Sequence, residues 1–356
     1  MNFLLTLIKA KWIFKKPNKR KVLIYDSMSI ENGFAEIFFS GKNYEILDNR
    51  YKIINIYVFF VTLLTSGIKN FKNNYKKIFL KFVSPKIVYT SIDNNIAFYR
   101  LKKIFPKAYY ISDQNGIRDN KFFLDCKKFL KNGTEKLVSD IFFCFGNNDK
   151  KKIHQIIKTK IFILGNTKNN QILIKKNDER IKKIIFISTG VKHTEKIDNK
   201  IFSYLIKFSE MCNYKLYFLD KPKKKRENLI RKKFKGKFNY HSSMKFFDNY
   251  KIMKKYALIV FAASTLGYEA FSKGLRCVSF DHSKYHYDYK YPKSGPFWGE
   301  LKNFQSLKHL INKVLNYDKL AWRKIHAKYS KNILFFDQRN SQKRILIKQL
   351  LRGNFV

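Results

Sequence analysis

Apolar residues along this chain come in short runs bounded by polar or glycine-containing turns, and between the runs the apolar spacing changes to threes and fours. In the first half, KVLIYD (21–26), YEILD (44–48), KIVYT (86–90), AYYISD (108–113) and DIFFCFG (140–146) predict strands, and 92–105 predicts a helix. The polar stretch NTKNNQILIKKNDERIKK (166–183) interrupts this rhythm. It restarts with strands at KIIFIS (183–188), YKLYFLD (214–220), FNYHS (238–242) and ALIVFAA (257–263), separated by helices near 199–212, 223–234 and 244–256. Strands that alternate with helices are joined by crossovers, so each half predicts an α/β, doubly wound parallel sheet. The boundary falls near 170–180. It divides the chain into a basic leader (1–20), an N-terminal domain (21–175) and a C-terminal domain (176–356) whose last helices can pack back on the first.

Taken as a helix, residues 3–16 place Leu4, Leu5, Ile8 and Trp12 along one side, with Lys9, Lys11, Lys15 and Lys16 largely off it. That pattern fits a helix lying in a membrane interface, or a core-packing helix with solvated lysines. The leader has no basic region ahead of its apolar run and no small-residue cleavage site, so no signal peptide is expected. The longest apolar run, IYVFFVTLL (56–64), is about half of the ~20 residues that a membrane span needs. A cytoplasmic protein is expected.

Charge changes the picture. Lys and Arg number 74 against 26 Asp and Glu, a formal net charge of +48, which points to polyanions, anionic lipid headgroups or phosphorylated small molecules as partners. Abundant Asn, Ile, Phe and Tyr trace part of the Lys excess to biased base composition; the scarcity of acids is not explained that way. Basic runs with interleaved aromatics, KKIFLKF (76–82) and KKKRENLIRKKFKGKF (223–238), suit a nucleic-acid binder, but no zinc finger, helix-turn-helix signature or RNP-like sequence accompanies them. No nucleic acid partner is expected. Cys126, Cys144, Cys212 and Cys277 form no CxxC and no Cys/His cluster, and read as reduced, buried side chains.

Ligands of open parallel sheets bind beyond the carboxyl ends of the strands. Four segments stand there: SDQNGIRD (112–119), GNTKNN (165–170), STGVKHTEK (188–196) and FAASTLGYEAFSKGLRCVSFD (261–281). In the last, Ser264 or Thr265 can cap a helix, Gly267 can leave its first turn open, and the backbone N–H groups can face a diphosphate. Glu269 lies too far along to complete a capping box and can accept a ligand hydroxyl; the plainer alternative is an acid that serves the helix dipole.

STLGYEAFSKG, DQNGIRD, GNTKNN and GPFWGE (295–300) together resemble the bacterial surface carbohydrate biosynthesis family, which is similar to glycosyltransferases of the GT-B architecture. The resemblance covers about residues 21–315, with Gly165-Asn166 where Gly-Ser is more usual. It implies two Rossmann-like domains facing a cleft, a nucleotide-sugar donor held by the C-terminal one, and glycosyl transfer in the assembly of capsule, lipopolysaccharide or a related glycan. Hexosyl and sialyl or Kdo-type transfer are not distinguished. Such transfer needs a stabilised leaving phosphate and, with inversion, a base for the acceptor hydroxyl; neither requires a metal. No DxD is present, DHSKYHYD (281–288) reads as a solvated loop, and no cofactor beyond the donor is expected.

Within this reading Asp113 is the first choice of base and Asp119 the second, Gln114 and Asn115 bind acceptor, and Arg118 holds an acceptor phosphate or acidic sugar. The alternative is an Asx turn of Asp113 and Asn115 with Gly116 at positive φ. Thr189, Gly190 and Lys192 resemble a donor-phosphate loop, joined by Ser264, Thr265, Gly267 and Glu269; His193 reads as structural or solvated more readily than catalytic, and Trp298 can stack on a base or sugar, though an aromatic is more commonly core. A glycan or lipid-linked glycan acceptor would be met on the anionic cytoplasmic face of the inner membrane, making the protein peripheral there. A CDP-alditol-dependent phosphotransferase of the teichoic-acid polymerase kind shares the architecture and is the rival reading.

Overall fold

The structure is a computed structural model, and it describes residues 7–39, 43–68, 70–118, 120–132, 137–173, 182–190, 194–220, 226–241, 248–280 and 292–353. In chain order the strands are β1 (Lys11–Ile13), β2 (Val22–Tyr25), β3 (Tyr44–Leu47), β4 (Ile53–Asn55), β5 (Ile87–Thr90), β6 (Tyr109–Asp113), β7 (Leu137–Cys144), β8 (Ile157–Ile163), β9 (Lys183–Ile187), β10 (Lys215–Leu219), β11 (Asn239–His241), β12 (Leu258–Phe261), β13 (Cys277–Phe280) and β14 (Trp298–Gly299). They build two six-stranded sheets, ordered β3-β2-β5-β6-β7-β8 and β11-β10-β9-β12-β13-β14, parallel throughout. The architecture is therefore α/β with two doubly wound, Rossmann-like halves.

The central strands VLIY, IVYT, LIVF and CVSF are buried at every position, as a parallel sheet covered on both faces demands. In the first sheet the alternation of side chains sorts them into two cores. Tyr25, Val88, Tyr110 and Phe142 pack under the Phe71–Val83 helix. Ile24, Tyr89, Ile111 and Phe143 pack on the other face, against Ala35 and Phe39 and against Ile347 and Leu350 of the last helix, Ser341–Arg352.

The chain thus crosses from the second half back onto the first. Asn332 to Phe336 run beside the ends of β7 and β8: the Phe335 N–H donates to Phe145 O (2.8 Å), and Gly165 bridges Phe336 in antiparallel sense. Two glycines permit this approach. A Cβ on Gly146 would collide with the backbone of Asn332 and Ile333, and one on Gly165, which also needs a φ of 65°, would collide with Phe335 O.

Two expected helices differ. Over 92–105 there are two short turns, Ile96–Tyr99 and Leu101–Ile104, the first capped by Asn95. The leader is no continuous helix either. Residues 11–13 form β1, paired with β4, and Trp12 stacks edge-on against Phe59 (5.4 Å) while its indole N–H donates to Leu7 O (3.1 Å). Leu4 and Leu5 lie outside the described residues. Strand pairing and burial of Trp12 outweigh a weakly amphipathic helix, which gains little from propensity alone. The apolar run IYVFFVTLL is itself part of a helix, Ile56–Ser66, begun by the Asn55 side chain accepting from Val58 N (3.1 Å) and ended at Gly67. Among the described residues, no helix is long and apolar enough to cross a membrane.

Candidate active-site cleft

In each sheet the strand order reverses once, between β2 and β5 in the first and between β9 and β12 in the second, and such switch points leave a crevice beyond the carboxyl ends. The second crevice is bounded by the Ser188–Gly190 turn after β9 and by Ala262–Thr265 after β12. These turns are neighbours because Ile187 pairs with Phe261.

Ser264 is the N-cap of the Thr265–Ser272 helix by its extended backbone (φ −85°, ψ 124°), yet its side chain makes no capping hydrogen bond. The Thr265 hydroxyl turns away and accepts from Ile117 N (3.3 Å), in the loop after β6 of the other half. Neither residue therefore caps the helix as the sequence suggested. Residues 264–266 of the first turn are half-buried, and the Gly267 N–H already donates to Ser264 O (3.1 Å). Gly267 has a different role from the one expected: a Cβ there would overlap the Phe261 ring, so the glycine lets helix and strand pack closely rather than admitting a ligand.

Glu269, one turn into this helix, is buried and accepts from the Tyr250 hydroxyl (3.0 Å). Burial pushes its carboxyl up to about 7, while Tyr250, Lys168 and Lys273 pull the other way. Lys168, carried by the short Thr167–Gln171 helix of the first half, sits over the Phe34 ring (4.5 Å), and burial lowers its ammonium to about 7. Lys273, lowered to about 8 by burial, donates to Ile172 O (2.8 Å) and lies over the Tyr250 ring (5.1 Å). An acid, a phenol and two lysines thus converge where the halves meet.

The Ser188–Gly190 turn is organised from behind by Asp198, a residue the sequence reading passed over. Its Oδ2 accepts from the Ser188 hydroxyl (3.1 Å), the Thr189 N–H (3.0 Å) and the Thr189 hydroxyl (2.9 Å), and burial raises its carboxyl to about 6. Its other oxygen, Oδ1, is buried without a hydrogen-bond partner among the described residues. Thr189 therefore faces the Glu195–Met211 helix, and Gly190 takes the left-handed φ of 62° that closes the turn. Lys192, His193, Asp119 and residues 281–288 lie outside the described residues.

Across the crevice, the loop after β6 is occupied by internal bonds. Asp113 is fully buried: it pairs with Lys343 Nζ (2.8 Å) of the last helix and accepts from the Tyr89 hydroxyl (2.9 Å) and from Thr167. Its oxygens are taken up inside the protein, and it forms no Asx turn, since the Asn115 N–H donates to Asp93 instead; nor is Gly116 at positive φ. Gln114, also buried, donates to Asp149 Oδ2 (3.0 Å) and Gly116 O (3.0 Å) and accepts from Phe145 N (2.9 Å), so it too is closed to an acceptor. Arg118 forks onto buried Asp93 and also reaches Asn115 Oδ1, while Asn115 N donates to Asp93 (3.1 Å). The guanidinium expected to hold an acceptor anion already holds an internal carboxylate. Ile117 completes the loop by packing into the core of the second half.

The GNTKNN segment behaves likewise. Asn166 Oδ1 accepts from Lys168 N (2.9 Å) and Asn169 N (3.2 Å), filling that helix N-terminus with a side chain; Asn169 donates to Ser272 (2.8 Å), and Asn170 to Leu164 O (2.7 Å) and Asn340 (3.1 Å). Trp298 is buried among Phe297 and Tyr329 and donates to Pro292 O (2.8 Å), a core residue.

Solved structures share this two-sheet arrangement over nearly the whole chain. UDP-GlcNAc 2-epimerase from Methanocaldococcus jannaschii, in complex with UDP-GlcNAc and UDP, is similar with a TM-score of 0.53 at 16% identity, covering 93% of this chain and 99% of that one. The fold is GT-B. The UDP-GlcNAc 2-epimerase of Neisseria meningitidis, bound to UDP-GlcNAc, gives 0.52 at 12% identity over 93% and 99% of the two chains. The wall teichoic acid polymerase TagF, soaked with CDPG, gives 0.54 at 11% over 98% and 92%. The model of a family described as "putative O-antigen biosynthesis protein" matches residues 198–351, the part of the chain that carries the STLGYEAFSKG motif. No curated protein matches by sequence. The resemblance drawn from the motifs thus agrees with the GT-B fold and with a surface-carbohydrate family.

Proposed function

We propose that this protein is a nucleotide-sugar-dependent glycosyltransferase of surface polysaccharide assembly. The observation that carries the reading is the β9/β12 crevice, where a helix N-terminus whose N-cap side chain makes no capping hydrogen bond stands one turn ahead of a buried carboxylate. In this reading the first-turn N–H groups of the Thr265–Ser272 helix, with Ser264, take the donor diphosphate, and Glu269 takes a ribose hydroxyl. The Thr189–Gly190 turn lines the phosphate side, and Lys192 neutralises the leaving group. Lys168, brought by the other half, adds positive charge as that phosphate departs. The base for the acceptor hydroxyl is assigned to Asp119, because Asp113 is sealed in its ion pair with Lys343. The acceptor is a glycan or a lipid-linked glycan.

The family match and the nucleotide-sugar ligands of the similar structures support a sugar-nucleotide substrate. The test is a thermal-shift screen of UDP, GDP, CMP and CDP compounds, followed by incubation of the stabilising nucleotide sugar with and without glycan acceptor. One nucleotide should raise the melting temperature, Glu269→Ala should remove that rise while still unfolding cooperatively at a somewhat lower ligand-free melting temperature, because Tyr250 loses its acceptor, and the nucleotide should be released only when acceptor is present. Inversion at the sugar C2 without acceptor would replace the reading with an epimerase, and transfer of an alditol phosphate from a CDP compound would replace it with a phosphotransferase.

A further inference from the structure

The Ile56–Ser66 helix, IYVFFVTLLTS, carries no charge, and only one side of it packs inward, through Val58 and Thr62. Its outward side presents Tyr57, Phe60 and Leu64, Ile68 is exposed just beyond the helix, and Ile8 and Phe14 are exposed on the leader. Apart from Tyr57 these side chains are between 55% and 86% exposed, unusual for six large apolar residues in one region of a soluble surface. The pieces are joined in space. β1 pairs with β4 immediately before the helix, Trp12 packs on Phe59, and Lys16 Nζ lies over the rings of Tyr57 (5.4 Å) and Phe82 (5.2 Å).

Exposed Lys11, Lys15 and Lys16 of the leader and Lys77 and Lys81 of the Phe71–Val83 helix, which packs beside Ile56–Ser66, flank this surface. The stretches that supply it, residues 1–25 and 49–92, contain no Asp or Glu at all. Elsewhere on this half, exposed Glu31 and half-buried Glu45 are engaged by Lys52 (3.3 Å) and Asn18 (3.1 Å), while Glu36 and Asp125 are exposed outside these stretches. An apolar centre with a cationic rim drawn from acid-free stretches matches one occupant in particular. We infer that this face docks on an anionic lipid bilayer surface, with Phe60, Leu64 and Ile68 entering the acyl boundary and the lysines meeting the headgroups. A second copy of the chain fits poorly, because two such rims would repel. The inference stands apart from the transferase reading, since it concerns a surface outside the cleft and its test reads no activity.

The test is co-sedimentation of the full chain with vesicles of equal phosphatidylglycerol and phosphatidylcholine and with vesicles of phosphatidylcholine alone. Binding to the anionic vesicles should be about tenfold or more the stronger and should weaken with salt. Phe60→Ser/Leu64→Ser should weaken it by roughly a hundredfold, as expected when two large apolar side chains no longer leave water. Lys15→Gln/Lys16→Gln should weaken it by roughly tenfold. Both double variants change exposed positions and should melt like the parent. In Phe60→Trp the emission should shift to the blue on binding and be quenched by brominated acyl chains. Undiminished binding of Phe60→Ser/Leu64→Ser, or an unshifted Phe60→Trp emission in the bound protein, would place the contact elsewhere and overturn the inference. So would a dimer in sedimentation that the same double variant dissolves, which would seat a second copy on this face.

Discussion

Replacing Lys343 by Met tests how the last helix is held to the first half. Lys343 is fully buried, and its Nζ donates to Asp113 Oδ1 (2.8 Å), Gly165 O (2.9 Å) and Thr167 Oγ1 (2.7 Å). Met fills most of the volume but strands the Asp113 carboxylate. Breaking a buried pair from one side costs about 3–5 kcal/mol, and the orphaned Gly165 carbonyl falls within that figure rather than adding to it. The expected loss is about 4 kcal/mol by urea unfolding at pH 8, followed by both fluorescence and circular dichroism so that separate unfolding of the halves would be seen. Asp113→Asn/Lys343→Met should lose less than the sum of its single variants by about 2 kcal/mol, since neither partner is then left charged and alone. The pH dependence has a definite sign. Burial already raises the Asp113 carboxyl, and without Lys343 it rises further, so the folded variant binds a proton that the unfolded chain releases above about pH 4. Its deficit should therefore shrink as the pH falls from 8 towards 5. A loss below about 1 kcal/mol, or one that is flat with pH, would refute the view that an ion pair clamps the helix.

Gly267→Ala should destabilise the second half by about 1–3 kcal/mol in the same unfolding assay, because the added methyl meets the buried Phe261 ring; a neutral effect would mean that the helix shifts freely. Glu269 titrates at about 7 in the folded protein, above its unfolded value, so its protonation favours the folded state across roughly pH 4.5–7 and stability falls as the pH rises through that window. Asp149 and Asp198, both about 6, act in the same direction, so the difference between wild type and Glu269→Gln isolates this residue; nucleotide affinity of the wild type should meanwhile weaken below pH 7 and that of Glu269→Gln should not. Equal pH profiles for the two proteins would remove Glu269 from the ligand.

The strands were legible because a doubly covered parallel sheet needs continuous apolar runs, and VLIY, IVYT and LIVF announce themselves as such. The crevice at β9 and β12 was legible for a related reason, since small and polar residues follow each of these strands. What the chain did not reveal was the direction in which side chains point. Asp113 ends a strand next to the cleft and is a fair candidate for chemistry until Lys343, 230 positions later, is found on it. Gly267 looked like an opening for a ligand because a sequence shows that a Cβ is missing but not which neighbour needed the space. Asp198 was overlooked because a carboxylate at the fourth position of a charged helix looks like any other; only the fold brings Ser188 and Thr189 onto it. The leader's threes-and-fours spacing was real, yet it could not announce that β4 offered an edge to pair with.

The return of the chain at Gly165 and Phe336 also bears on the order of synthesis. The Phe335 N–H donates to Phe145 O there, and a few residues later the Ser341–Arg352 helix completes one apolar face of the first sheet through Ile347 and Leu350. A chain leaving the ribosome therefore cannot finish its first half until residues 341–352 have been made. The half that is begun first is completed last.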